Sequence, residues 1–191
     1  MIGKMKDNLV EKDGRITGAN NHSMIQSLND SMVKCRVGLG LDFHRLVAER
    51  PLVLGGVRIP YAKGLLGHSD ADVLTHALCD ALLGAAGLGD IGTHFPDTDE
   101  RYRGIESLRL LDQVITLLSQ EGLRVVNVDA TVIAQEPKLA PYFPAMRTKL
   151  AEILHIPHDR IGLKATTSEG MGALGRSEGI GAMCICLIER A

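Results

Sequence analysis

The sequence predicts an α/β (α+β) fold in which helices pack on one face of a single mixed β-sheet. Strand-like and helix-like segments interleave along the chain, but they do not alternate regularly as they do in a dinucleotide-binding Rossmann fold. Apolar residues make up 45% and charged residues 23% of the 191 residues, as in an ordinary globular domain. The segment IGAMCICLIE is apolar at successive positions, which is typical of a strand covered on both faces. Helices, another sheet or another chain must therefore cover it.

Residues 1–33 differ from the rest of the chain. They mix Lys, Asp, Asn, Gly and Ser without a sustained period, which predicts a flexible N-terminal extension followed by one domain over residues 34–191. The extension lacks the apolar run of a signal peptide and carries acidic residues that transit peptides avoid. We therefore expect a cytoplasmic protein.

Composition argues against nucleic-acid and membrane partners. Aromatic residues make up 3% with no Trp, the formal net charge is −2, and dense basic runs are missing from the sequence. No apolar stretch approaches the roughly 20 residues of a membrane span. Four cysteines without a CxxC pair indicate buried, reduced thiols rather than a metal site.

In the first half of the domain, the sequence pattern predicts strands followed by a helix. CRVGLGLDFH is expected to form a strand, and PLVLGGVRIPY two short strands around Gly55 and Gly56. An apolar face recurs at helical spacing between Ser69 and Gly84, with Ser69 or Asp70 as the cap. GLGDIGTHFPDTDE then predicts a turn-rich loop.

The second half alternates helices and strands. Apolar residues over 108–118 predict a helix that ends at Gly122, and VVNVDATVIAQ predicts a strand that ends at Pro137. Pro144 begins the next helix, IGLKATT forms a short strand, and EGMGALGRSEG forms a glycine-rich loop before the last strand.

A cluster of metal ligands is predicted where the first strand meets the first helix. Asp42 and His44 are two residues apart on a strand, so their side chains point to one face. His76 on the helix supplies a third ligand and completes a catalytic zinc set with an open fourth position. Two histidines and one carboxylate also suit non-haem iron. Asp72 or Asp80 could orient the ring of His76 from behind.

Two loops predict phosphate and cation binding. His68 and Ser69 precede the helix, where backbone N–H groups favour a phosphate. TTSEG at 166–170 offers hydroxyls and one carboxylate, Glu169, which suits a hard cation such as magnesium. Together with the zinc set, this pattern suggests a diphosphate bridged by two metals.

Four separated motifs follow one another over residues 36–188: GLGLDFH, VRIPYAKGLLGHSDADVLTHALCDALLGAAGLGDIGTHFPDTD, AQEPKLAP and KATTSEGMGALGRSEG. Together they closely resemble the 2-C-methyl-D-erythritol 2,4-cyclodiphosphate synthase family of the non-mevalonate isoprenoid pathway. The resemblance implies a homotrimer with active sites between neighbouring subunits. Each site would hold Zn²⁺, or another divalent transition metal, and a second cation, Mg²⁺ or Mn²⁺.

The resemblance also implies the reaction, a phosphorus–oxygen lyase activity. The 2-phosphate of 4-diphosphocytidyl-2-C-methyl-D-erythritol 2-phosphate would attack the β-phosphorus, release CMP and close 2-C-methyl-D-erythritol 2,4-cyclodiphosphate. The attacking phosphate is already anionic, so positioning and charge neutralisation suffice.

By matching position, the resemblance assigns roles to individual residues. Asp42, His44 and His76 would bind zinc, and Glu169 the second cation. His68 and Thr167 would be catalytic and stabilise the transition state. The erythritol and phosphate positions are Asp42, Phe43, His44, His68, Ser69, Asp90, Ile91, Gly92, Phe95, Pro96, Asp97, Thr98 and Asp99. The cytidine end and adjoining positions are Ala134, Gln135, Glu136, Pro137, Lys138, Leu139, Ala140, Thr166, Thr167, Ser168, Glu169, Ala173 and Arg176.

The sequence departs from the family at two places. Ala71 replaces a usual glycine, which would be harmless if its φ angle were negative. On the trimer axis, where the family can hold an isoprenoid diphosphate, Leu41 and Ala173 stand at aromatic positions and Met183 at a Glu position. Arg176 and Glu178 remain there, and three Arg176 side chains would repel unless an anion or Glu178 neutralises them. We expect a wider, more purely apolar chamber with altered or lost isoprenoid feedback.

Two alternative functions fit some of these residues. A zinc phosphohydrolase on the same scaffold would use water at the open metal position and give no cyclic product. A trimeric isoprenoid-diphosphate carrier with a structural zinc would bind ligand without releasing CMP. The retained His68, Thr167 and Glu169 disfavour the carrier.

Overall fold

The computed structural model describes residues 35–191, and the predicted extension over residues 1–33 lies outside the described part. The strands are β1 (Cys35–Ala48), β2 (Leu52–Leu54), β3 (Val57–Ile59), β4 (Lys63–Leu65), β5 (Leu123–Ile133), β6 (Ile161–Thr166) and β7 (Gly179–Arg190). The helices are α1 (Val73–Ala86), α2 (Ile91–His94), α3 (Ser107–Gln120), α4 (Phe143–Leu154) and α5 (Gly172–Gly175). Short 3-10 turns lie at Glu100–Tyr102, Ala140–Tyr142 and His158–Arg160.

Five of these strands form one mixed sheet in the order β4-β1-β7-β5-β6. β5 and β6 pair in parallel, and the other neighbours pair antiparallel. β2 and β3 form a separate hairpin through Gly55 and Gly56, whose φ angles are 54° and 68°. The predicted mixed α/β domain with a sheet and helices is confirmed.

Helix α1 lies directly on strands β1 and β7 because glycines on β1 leave room for it. A Cβ atom at Gly38 would lie 1.9 Å from the carbonyl oxygen of Ala81, and one at Gly40 would lie 1.9 Å from that of Ala77. Any larger residue would push the helix off the sheet. This close approach brings the helix side chains next to those of β1.

Asp72, rather than the predicted Ser69 or Asp70, caps helix α1. Its buried carboxylate accepts from Thr75 N and Thr75 Oγ1 and from the backbone N–H groups of Gly55 and Gly56, at 2.7–3.1 Å. Burial, followed by the nearby charge of Asp70, raises the pKa of Asp72, and the hydrogen bonds from Gly56 and Thr75 oppose that shift. One side chain thus ties the β2–β3 hairpin to the start of the helix.

The helix begins later than expected because the chain turns at Ala71. Its φ angle is 58°, so the condition for a harmless replacement of glycine is not met. Ala71 is fully buried, and its N–H donates to Ser69 Oγ at 3.0 Å. Packing and this hydrogen bond therefore hold an alanine in a conformation that favours glycine.

The two faces of the main sheet differ in burial. α1 packs on β1 and β7, and apolar residues along α1, α3 and α4 form the core with the inward side chains of the strands. The opposite face of β1 and β7 carries exposed apolar side chains. They are Val37, Leu39, Leu41, Phe43, Met183 and Ile185, between 39% and 68% exposed. We call these six residues the apolar sheet face.

The thiols partly follow the prediction. Cys79, Cys184 and Cys186 are buried, whereas Cys35 at the start of β1 is exposed, and all four are free. Burial raises the pKa of Cys186 to about 11, which keeps it protonated near neutral pH.

Short helices replace parts of two predicted loops. α2 lies within GLGDIGTHFPDTDE, and α5 lies within the glycine-rich loop before β7. Asp90 caps α2 by accepting from Thr93 N at 2.8 Å. Within residues 35–191, no helix combines the length and apolar character needed to cross a membrane.

Candidate metal centre and its cavity

Asp42, His44 and His76 meet as predicted. His44 Nε2 lies 2.9 Å from Asp42 Oδ2, His76 Nδ1 lies 3.2 Å from the same oxygen, and the two ring nitrogens are 3.1 Å apart. Asp42 and His44 share a face of β1, and the close approach of α1 delivers His76. Among the described residues, these three form the grouping of His, Cys, Asp or Glu that could hold a metal ion.

The neighbours of this triad fix its orientation. Asp42 Oδ1 accepts from Phe43 N at 2.8 Å, which leaves Oδ2 for the histidines. His44 Nδ1 lies 2.7 Å from the carbonyl oxygen of Leu66. Because a carbonyl only accepts, Nδ1 carries hydrogen and Nε2 of the neutral ring presents its lone pair to the triad.

Electrostatics favour an anionic carboxylate beside a cation. Burial alone would raise the pKa of Asp42, but hydrogen bonds from the His44 and His76 rings, which donate to it when they are protonated, hold the pKa well below its usual range. Burial alone would lower the pKa of His44, but the hydrogen bond and charge of Asp42 raise it overall. The site thus stabilises positive charge next to Asp42.

The donor set fits a divalent transition metal. Two imidazole nitrogens and one carboxylate oxygen are the ligands that catalytic zinc takes, at bond lengths of about 2.0–2.2 Å. Such bonds in a tetrahedron place ligand atoms about 3.3 Å apart, close to the separations of 2.9–3.2 Å here. The side chains are only 13–25% exposed, so the cluster is also partly shielded from water.

Asp72 and Asp80 do not orient the ring of His76, contrary to the prediction. Asp72 caps the helix, and Asp80 Oδ1 accepts from Ile91 N at 2.8 Å. Asp80 therefore positions the loop that carries Asp90, Ile91 and Gly92. The side of the His76 ring away from Asp42 instead contacts the hydroxyls of Ser69 and Ser107, and neither contact was predicted.

His44 and His76 of the triad line a cavity of about 470 Å³, a size typical of small-molecule sites. His68 Nε2 lies 3.2 Å from the carbonyl oxygen of Asp99, so the loop over residues 95–99 holds the histidine ring. Predicted residues that line the cavity are His44, His68, Ser69, His76, Ile91, Gly92, Phe95, Pro96 and Asp97. Gly67, Tyr102 and Leu110 also line it and were missed, because no local pattern marks them.

A second group of predicted site residues lies where β5 and β6 end. Ala134 N donates to the carbonyl oxygen of Thr166 at 3.0 Å, and Gly170 N lies 3.4 Å from Gln135 Oε1. Thr167 Oγ1 donates to Glu169 Oε1 at 2.9 Å, and the φ angle of Glu169 is 51°. None of the residues 134–140 or 166–169 lines the cavity beside the triad.

Comparison with known proteins shows the family to which this chain belongs. The model of the YgbB family matches residues 35–189, most of the chain. The chain belongs to the YgbB family. A relative from Nitrosomonas europaea, named 2-C-methyl-D-erythritol 2,4-cyclodiphosphate synthase, is 60% identical over 157 residues, which cover 82% of this chain and 96% of the relative.

Solved structures similar to this YgbB-family chain show the same fold. A 2C-methyl-D-erythritol-2,4-cyclodiphosphate synthase in a CDP-bound form is 42% identical, with a TM-score of 0.75 over 81% of this chain and 100% of that one. The bifunctional IspDF from Campylobacter jejuni is also 42% identical, with a TM-score of 0.80. The match covers 83% of this chain and 43% of the bifunctional one.

Two of the departures from the family's motifs, Leu41 and Met183, lie on the apolar sheet face. Leu41 and Met183 are cross-strand partners on β1 and β7, at 52% and 39% exposure. Arg176 Nε donates to Glu178 Oε1 at 2.6 Å, so within one chain Glu178, one of the two expected counter-charges, pairs with the arginine. Ala173 lies on the short helix α5 just before this pair.

Proposed function

We propose that this protein converts 4-diphosphocytidyl-2-C-methyl-D-erythritol 2-phosphate to 2-C-methyl-D-erythritol 2,4-cyclodiphosphate and CMP, within non-mevalonate isoprenoid precursor synthesis. The observation that carries the proposal is the Asp42–His44–His76 triad at the wall of a cavity lined by His68 and Ser69. The 60% identical relative bears the name of this synthase.

The reaction balances without an external acid or base. An oxygen of the 2-phosphate forms a bond to the β-phosphorus, and the bond from that phosphorus to the bridging oxygen breaks. The bridging oxygen leaves with CMP, so the summed phosphate charge stays the same. Holding the two reacting groups together supplies most of the rate enhancement.

The residues around the triad would hold and shield the phosphates. Asp42, His44 and His76 would bind zinc or another divalent transition metal, which when bound neutralises phosphate charge as a Lewis acid. His68 and Ser69 line the cavity beside it, and the Asp99 carbonyl fixes the His68 ring for contact with substrate. Asp80 holds the backbone of Ile91 against the same space.

The second cluster would bind the cytidine end and the second cation. Thr167 donates its hydroxyl proton to Glu169 Oε1, which leaves Oε2 for Mg²⁺ or Mn²⁺. The left-handed backbone of Glu169 is a strained conformation of the kind often found at functional sites. Backbone groups over 134–140 could read a base edge, and a solved relative binds CDP.

Assembly as a homotrimer would bring the two clusters together between neighbouring subunits. The clusters do not share a cavity within the described part of one chain. The apolar sheet face would be covered in such an assembly, since a contiguous apolar surface of this kind marks an interface. Its Leu41 and Met183 predict altered or lost binding of an isoprenoid diphosphate on the axis. The cytoplasmic location stays a prediction.

Phosphorus NMR tests the proposed reaction. Protein incubated with the cytidyl substrate, zinc and magnesium should give the cyclic diphosphate and CMP, and His76→Ala should abolish both. His158→Ala is the matched control, because His158 is exposed on a distant 3-10 turn. CMP with an open-chain product would support the phosphohydrolase, and bound metal without turnover would support the carrier.

A further inference from the structure

The ring of His76 has a second polar contact on the side away from Asp42 and His44. Its Nε2 lies 2.9 Å from Ser107 Oγ and 3.1 Å from Ser69 Oγ. Ser107 is fully buried at the first position of α3, and Ser69 is 6% exposed. These hydroxyls therefore face the ring rather than solvent.

The contact between Ser107 and Asp70 decides which atom donates in the hydrogen bond between Ser107 and His76. Ser107 Oγ also contacts Asp70 Oδ1, and a carboxylate oxygen can only accept. The single hydroxyl proton of Ser107 is thus donated to Asp70, and its lone pairs must accept from the ring. His76 Nε2 then carries hydrogen, and Nδ1 presents its lone pair to Asp42 Oδ2 and His44 Nε2.

Two backbone hydrogen bonds hold this arrangement in place. Gly104 N donates to the carbonyl oxygen of His68 at 2.8 Å, and Asp70 N donates to that of Ile105 at 3.0 Å. They fasten the segment before α3 to the loop before α1. Ser107 and Asp70 therefore keep their positions relative to His76 without depending on a bound ligand.

We propose that Ser107, backed by Asp70, is a positioning residue that fixes the tautomer and orientation of the metal ligand His76. Partners of this kind keep a ligating imidazole in the required tautomer, and their loss typically weakens metal binding about 10–100-fold. The inference rests on the proposed metal centre. It assigns no contact with substrate to Ser107.

The test measures zinc affinity by competition with a chromophoric chelator, independent of turnover. Ser107→Ala should bind Zn²⁺ about 10–100-fold more weakly than the unmodified protein. Ser119→Ala is the matched control, since it makes the same change at an exposed position near the end of α3. Its zinc affinity should be unchanged.

A second variant and a second readout protect the test against misfolding. Asp70→Ala leaves the buried start of α3 intact but frees the Ser107 proton to be donated to the ring, so zinc affinity should also fall. In ¹⁵N NMR of the zinc-loaded protein, His76 should appear with hydrogen on Nε2. Zinc affinities within twofold of the unmodified protein in both variants, or hydrogen on Nδ1, would overturn the proposal.

The outcomes separate this inference from the proposed function. If the unmodified protein does not bind zinc, the metal centre itself is wrong. If it binds zinc and both variants bind equally well, the centre stands and Ser107 has no positioning role.

Discussion

Replacing Gly40 by alanine tests whether the contact between β1 and α1 builds the metal centre. The added Cβ atom would lie 1.9 Å from the carbonyl oxygen of Ala77 and 2.6 Å from the N atom of Ala81. Real Cβ atoms essentially never come within 3.0 Å of such neighbours, so the helix must move by about 1 Å. His76 directly precedes Ala77, and its ring would leave the triad.

The loss in free energy of unfolding depends on whether the new Cβ atom clashes with side-chain atoms or with helix backbone atoms. Overpacking against adjustable side chains costs about 1–3 kcal/mol, and a helix backbone yields less easily, so about 3 kcal/mol is expected. Reduced freedom of the unfolded chain returns about 0.4–1 kcal/mol. Gly40→Ala should therefore lower the free energy of unfolding by about 2 kcal/mol or more, which is about 4–8 °C in melting temperature.

Thermal unfolding at fixed protein concentration and zinc titration measure both effects. Gly84→Ala is the matched control, because Gly84 lies inside α1 with nothing within 4 Å of an added Cβ atom. It should stabilise the helix by up to about 1 kcal/mol and leave zinc binding unchanged. A Gly40→Ala protein as stable as the unmodified one, with intact zinc affinity, would refute the reasoning.

Three further predictions concern strain, thiols and assembly. In urea titrations, Ala71→Gly should change the free energy of unfolding by less than about 1 kcal/mol, because relief of the left-handed backbone offsets the lost buried methyl and the added chain freedom. Ala71→Val should lower it by more than about 2 kcal/mol in the same titrations. Alkylation of the native protein at pH 8, followed by mass spectrometry, should leave Cys184 and Cys186 unmodified, since burial raises the pKa of both thiols; rapid labelling would contradict the packing. Leu39→Glu on the apolar sheet face should give monomers in analytical ultracentrifugation, whereas Thr116→Glu at an exposed position of α3 should leave the assembly unchanged. If neither variant changes the assembly, the apolar sheet face is not the interface.

Local periodicity was enough to predict the centre of the site. Asp42 and His44 are two apart on a strand, which places both side chains on one face whatever the rest of the fold does. The polar position of His76 on an apolar helix then indicated the third ligand. Alternation and helical spacing also gave the mixed sheet and its three long helices.

Two features of the site depend on contacts between residues far apart in the sequence and could not be predicted from local patterns. Ser107 reaches His76 across 31 positions because backbone hydrogen bonds fasten two loops together, and no local pattern marks that contact. Asp72 displaced Ser69 and Asp70 as the cap because the chain turns at Ala71. A propensity argument would not place an alanine in that turn.

The most direct test of the proposed reaction is a turnover in water enriched in ¹⁸O. Intramolecular attack of the 2-phosphate on the β-phosphorus uses no water, so neither CMP nor the cyclic diphosphate should contain the heavy isotope in mass spectra. If ¹⁸O appears in CMP or in the methylerythritol phosphate product, water is the nucleophile, and the proposed cyclisation is wrong.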